Sequence, residues 1–193
     1  MLKIFLVRPG STEFDEQGRI KGCLDIPLSL AGLEQVQKVA LELGEFDLAR
    51  IYTSPCQSAQ QTAAGLSRGG KIKVKVIEGF ANLDHGLWHG KRIEELKLTQ
   101  PRIYRQFADN PETTCPPEGE TLQAARDRVI KSLNRVIRKN REGQVVVVVP
   151  DPLATIVHAI LESEEIGDLW QSECESCHWE VIDVNAKKLE STG

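Results

Sequence analysis

The sequence predicts an α/β fold in which a central sheet lies between two layers of helices. Three observations carry that expectation. The runs Leu2 to Val7 and Val145 to Val149 are almost continuously apolar, as expected of strands buried on both faces. Segments with strand and helix periodicity alternate along the chain. No repeat, low-complexity tract or linker divides the 193 residues, so one domain, 1–193, with a full core is expected.

The elements follow in order. Leu2 to Val7 is the first strand and should be central. From Leu30 to about Leu43 the apolar positions Leu33, Val36, Val39, Ala40 and Leu43 form a helical stripe, and Ser29 is placed to cap its first turn. Ile51 to Thr53 reads as a short strand. Ser54-Pro55 has the form of an N-cap and first-turn pair, opening a helix through Ala59, Ala63 and Leu66 that stops at Gly69-Gly70. Val74 to Ile77 is another short strand. Lys91 to Asn110 is helical in two pieces broken at Pro101, because proline removes a helix donor. Thr121 to Asn140 is one long amphipathic helix with Ala125, Val129, Leu133 and Val136 on one side. After the valine strand, Asp151-Pro152 starts a helix to about Glu162, and the alternating segment Trp179 to Val184 is the last strand.

Composition excludes several function classes. The net charge is −4 with Lys and Arg spread along the chain, so neither nucleic acid nor an anionic membrane is indicated as a partner. Only four apolar residues, Ile4 to Val7, precede Arg8 after the single Lys3, too few for a signal-peptide core, and no apolar run approaches membrane length. A cytoplasmic location is the expectation. The five cysteines are irregularly spaced and read as free thiols. Cys174-Glu175-Ser176-Cys177-His178 has the spacing of c-type haem attachment and offers zinc ligands, but the absence of an export signal favours ordinary thiols, with a redox role as the alternative.

The motifs resemble those of the histidine phosphatase (phosphoglycerate-mutase-like) superfamily over nearly the whole chain. Arg8-Pro9-Gly10-Ser11-Thr12 is similar to that family's Arg-His-Gly-Glu-Thr signature. Gly18-Arg19, Gly22, Asp25, Pro27-Leu28-Ser29, Gly32 and Gln35 continue the likeness into the first helix. Thr53-Ser54-Pro55 with Ala59, Gln61, Thr62 and Ala63 looks like its next motif, Leu83-Asp84, Gly86, Trp88 and Gly90 like the third, and Pro117 to Thr121 with Arg128 like the segment leading into the long helix. The resemblance implies a three-layer sandwich with a mainly parallel central sheet and catalytic groups at the strand carboxyl ends, the usual ligand site of open α/β sheets.

The same resemblance implies a phosphohistidine mechanism whose parts this chain lacks. Pro9 stands at the nucleophilic histidine and offers no nitrogen to accept a phosphoryl group. Ser58 stands at a phosphate-binding arginine, Asn82 at the general acid, and Pro150 at the second histidine, where neither side chain nor backbone donates a hydrogen bond. Removing the nucleophile of such a unit lowers rates on the order of 10⁴ to 10⁶-fold, and here several members are replaced together. The expectation is a catalytically inactive member, a pseudoenzyme, acting by ligand or protein binding. The alternatives are a phosphatase of phosphate monoesters with relocated catalytic residues and a structural or assembly role.

The candidate ligand-binding residues are Arg8, Thr12, Asp151 and His85. Arg8 either keeps an anion site or pairs with Asp151 to fill it. Asp151 is read first as a helix cap, with a catalytic base as the alternative. His85, with His89, Asp84, Cys23 and Cys56, is expected near the pocket mouth. No metal or other cofactor is expected. The partner is an unspecified small ligand or protein, and the sequence leaves the oligomeric state open.

Overall fold

The computed structural model describes residues 1–172 and 177–184, apart from the side chains of Gln171 and Ser172. A five-stranded sheet has the order β3-β2-β4-β1-β5, where β1 is Leu2–Val7, β2 Leu48–Thr53, β3 Val74–Val76, β4 Gly143–Val148 and β5 Trp179–Val184. The first four strands run parallel, and β5 pairs antiparallel with β1. The fold is therefore the three-layer α/β sandwich with a mainly parallel sheet that the sequence implied.

Both central strands are buried on both faces, and the alternation of their side chains divides the core in two. On one face Phe5, Val7, Val146, Val148 and Ile51 pack under helices α2 (Leu30–Glu42) and α3 (Gln57–Leu66). On the other, Leu2, Ile4, Leu6, Val145 and Val147 pack under α6 (Leu122–Lys139) and α7 (Leu153–Glu162). The remaining helices, α1 (Glu13–Glu16), α4 (Ile93–Thr99), α5 (Pro101–Asp109) and α8 (Leu169–Ser172), belong to the connections. Among the described residues no helix is long and apolar enough to cross a membrane.

The expected caps are present at α2 and α6, where Ser29 Oγ accepts from the Gly32 amide and Thr121 Oγ1 from the Ala124 amide. Pro101 opens α5, and so divides the 91–110 region as its ring chemistry requires. Helix α3 departs from expectation. It begins at Gln57 with Cys56 as N-cap, two residues beyond Pro55, and Ser54 continues the strand bonding by donating its amide to the Val148 carbonyl at 2.9 Å.

Because β4 lies beside β1, their carboxyl ends adjoin while the following chain turns to opposite faces, toward α2 after β1 and into α7 after β4. That is a topological switch point, where open sheets form a crevice. Gly10 and Gly32 bring the loop after β1 hard against α2: a Cβ on Gly32 would land on the Ser11 carbonyl oxygen.

Candidate functional site

Arg8 leaves the tip of β1 and Asp151 follows the tip of β4, so the switch point brings the two side chains together. Arg8 Nε donates to Asp151 Oδ2 at 2.5 Å, and both residues are buried, at 6% and 1% exposure. A second carboxylate reaches the same guanidinium from β5, where Glu180 pairs with Leu6: Arg8 Nη1 donates to Glu180 Oε1 at 3.3 Å. The other Glu180 oxygen lies 2.9 Å from His158 Nδ1 on α7. Arg8, Thr155, His158, His178 and Glu180 line a cavity of about 180 Å³.

Asp151 also holds the start of α7. Its Oδ1 accepts from the Thr155 amide at 3.2 Å and from Thr155 Oγ1 at 2.9 Å, so it bonds the first turn from one residue before the N-cap, Pro152, and not from the N-cap position that the sequence suggested. Burial pushes its carboxyl up to about 6, and the nearby Arg8, Thr155 and Lys21 oppose that shift without overcoming it. Desolvation disfavours the charged form and outweighs these favourable partners.

The four positions expected from the sequence to stand in place of catalytic groups serve structural bonds. Pro9 is buried, and its carbonyl accepts from the Cys177 amide at 2.7 Å. The Pro150 carbonyl accepts from Ala154 in the first turn of α7. Ser58 is buried near the start of α3 with its Oγ 3.6 Å from Cys56 Sγ. Asn82 uses both ends of its amide, donating from Nδ2 to the Asp151 carbonyl at 3.0 Å and accepting the Leu153 amide at 3.4 Å. A carboxylate has no donor for the first of these bonds. The Asn82 backbone carbonyl in turn accepts from Arg128, which also donates to the carbonyls of Gly79 and Ala81.

Thr12 lies beside the crevice and is committed to α1 through a capping box with Asp15, each side chain bonding the other's backbone amide. Buried Lys21 pairs with the same Asp15. His85 departs from its expected position. Its imidazole is fully enclosed, ringed by Trp88, Phe107 and Trp170 at centroid distances of 5.8 to 6.3 Å, so it belongs to the core under α5 and α8 rather than to the mouth. Cys23 and Cys56 do meet across the mouth, lining with Asp25, Pro55 and Asn82 a cavity of about 160 Å³.

Cys23, Asp84 and His89 bring one ligand atom each within 4.8 Å of one another. Their bonds do not suit a cation. His89 Nε2 accepts from the amides of His85 and Cys23, which occupies its lone pair, and the Cys23 thiol donates to the Asn82 carbonyl and is pushed up to about 11, first by burial and then by Asp84. Of the haem-like segment, Cys174 lies outside the described residues; Cys177 is half-buried, and burial pushes its thiol to about 11 as well.

Sequence reasoning missed Thr155, His158, Glu180 and Lys21. A signal existed for the first two: residues 151, 155 and 158 follow the i, i+4, i+7 spacing of one helical face.

A sequence model described as the histidine phosphatase superfamily (branch 1) matches residues 4–192. Phosphoserine phosphatase 1 of Hydrogenobacter thermophilus is 30% identical over 190 residues, 97% of this chain and 89% of its own. Among solved structures, YhfR of Bacillus stearothermophilus superimposes with a TM-score of 0.86 at 22% identity, covering 96% of this chain and 92% of that one. A phosphoserine phosphatase from Entamoeba histolytica, solved with 3-phosphoglyceric acid, has a TM-score of 0.78 at 27% identity, with 94% and 90% covered.

Proposed function

This chain belongs to branch 1 of the histidine phosphatase superfamily, and from that premise we propose that it is a catalytically inactive cytoplasmic member that acts by binding a neutral or mixed-polarity small ligand or a protein segment at the remodelled crevice. The observation that carries the reading is the engagement of Arg8. The one guanidinium retained at the strand tips is held by buried Asp151 and by Glu180, so a phosphate dianion arriving there meets two carboxylates rather than an open cation. With Pro9, Ser58, Asn82 and Pro150 in place, nucleophile, second clamp and acid are absent together.

The test is hydrolysis of para-nitrophenyl phosphate, O-phosphoserine and 3-phosphoglycerate, run beside calorimetry with inorganic phosphate. Rates at background and a phosphate dissociation constant of millimolar or weaker, about 4 kcal/mol or less, are expected. Turnover that persists through repurification and disappears with Arg8→Ala would overturn the proposal, as would micromolar phosphate affinity. One observation favours a second reading, a phosphomonoesterase with relocated groups: His158 and Glu180 stand in contact beside Arg8 at an accessible cavity. Under that reading turnover is present and falls with His158→Gln.

A further inference from the structure

We propose that the groove between β3 and α6 is a second binding site, for an amphipathic organic anion: an apolar or aromatic body carrying a sulfonate, carboxylate or phosphate group. The groove encloses about 410 Å³, a volume typical of small-molecule sites, and shares no described lining residue with the Arg8 cavity. Tyr52, Val76, Ile77 and Val136 supply its apolar wall. Such a wall accepts the body of a ligand and says nothing about charge.

The charge comes from the rim. Residues 128, 131, 135 and 139 recur at i+3 and i+4 along α6, so one face of the helix turns a row of cations toward the groove, and Lys75 faces them from β3. Arg128 is engaged by Glu120 and by three carbonyls of the 79–82 loop. Lys75, Lys131, Arg135 and Lys139 make no ion pair with a described residue, and Glu78 is the one acid among the described lining residues. Lys75 and Lys139 crowd one another closely enough that the Lys75 ammonium is held below its ordinary range, first by Lys139, then by desolvation and by Arg50. These cations gather on a chain whose net charge is −4. An anion seated between them relieves a repulsion already built into the strand and helix, and the cavity behind them takes its apolar part.

A second copy of the chain is the other occupant to weigh, because β3 is an open edge with Val74 and Val76 exposed. Pairing two β3 edges brings two Lys75–Lys139 clusters together, and like charges placed opposite one another disfavour that contact. A small anion has no such opposition.

The experiment is a titration of the ¹⁵N-labelled full chain, followed by amide shifts, with naphthalene-1-sulfonate as probe. Methanesulfonate and 1-naphthol serve as its separate anionic and apolar halves. We expect saturable shifts at Val76, Ile77, Gly79 and residues 131–139, with affinity at least tenfold above either half. Lys75→Glu with Lys139→Glu should weaken binding tenfold or more, while Lys71→Glu, outside the groove, leaves it unchanged. If the double reversal does not fold, Lys75→Gln with Lys139→Gln should still weaken binding severalfold. Equal affinity for 1-naphthol and the sulfonate would reduce the site to an apolar pocket and overturn the proposal. So would shifts confined to Arg8, Thr155 and His158, the absence of saturable shifts, or a sedimentation-detected dimer that buries the groove amides.

Discussion

Asp151→Asn should stabilise the protein at neutral pH, although it removes one partner of a buried ion pair. The carboxyl is raised from 3.8 to about 6, a shift near two units, and each unit corresponds to about 1.4 kcal/mol, so ionised Asp151 destabilises the fold by about 3 kcal/mol relative to its neutral form. The sign follows from proton binding. The folded chain holds this proton more tightly than the unfolded chain, so the group's favourable contribution is fully present below pH 3.8, falls as pH rises toward about 6, and is absent above. Asparagine is the isostere of the neutral acid and keeps an oxygen to accept from Thr155, but its amide nitrogen replaces the oxygen that accepts from Arg8 Nε, a loss of about 1 kcal/mol that Glu180, 3.3 Å from the same guanidinium, limits. Urea unfolding followed by circular dichroism between pH 4 and pH 7.5 reads the difference. The variant should be slightly less stable at pH 4, by about 1 kcal/mol, and at pH 7.5 it should be more stable by about 2 kcal/mol, or roughly 4 to 8 °C in Tm for a chain of this size. A variant less stable than the native protein at pH 7.5, with a gap that widens as pH rises, would refute the reasoning: attraction to Arg8 would then outweigh desolvation, and the folded carboxyl would titrate below 3.8.

Two further outcomes follow from the same crevice. Pro9→His alone should leave hydrolysis of para-nitrophenyl phosphate at background, because the imidazole gains neither a clamp at Ser58 nor an acid at Asn82; strong activity from this single change would show that other residues supply both. Asn82→Asp should destabilise the fold by about 1 to 3 kcal/mol at pH 7.5, since the Asp151 carbonyl loses its donor and meets a carboxylate instead, and chemical denaturation giving no loss would mean that this amide does not tie its loop to the start of α7.

The fold was legible where the pattern is local and long. Leu2 to Val7 and Trp179 to Val184 match their strands residue for residue, because burial on two faces and alternation each leave a clear imprint. Helix α6 matches within a residue at each end, because Thr121 caps it and the 3.6-residue stripe has no interruption. The short helices α1 and α8, four residues each, carry too few turns to generate a period. Pro55 misled because a proline after serine fits a helix start, whereas the Ser54 amide is taken by Val148 across the sheet.

The site divides along the same line. Arg8 and Asp151 follow the two central strands, so their meeting was one of the alternatives that sequence could frame. Glu180 and His158 join that pair only because β5 lies antiparallel against β1 and opposite α7, a placement that no local pattern encodes. His85 went astray for a related reason: Gly86 and Trp88 beside it describe a turn, while its enclosure depends on Phe107 and Trp170 much later in the chain.

The distribution of indoles gives each layer of the sandwich its own optical voice. Trp88 and Trp170 sit 5.7 Å apart between ring centroids in the core at α5 and α8, on the α6–α7 side of the sheet, near enough for their excited states to mix into a paired dichroic band. Trp179 stands across the sheet with Phe5 and Phe46, its indole nitrogen tethered to Glu42 at the end of α2. Loss of the paired band therefore marks the loosening of one layer, and a change in the emission of Trp179 marks the other. The native chain carries two separate chromophoric reporters without any added label.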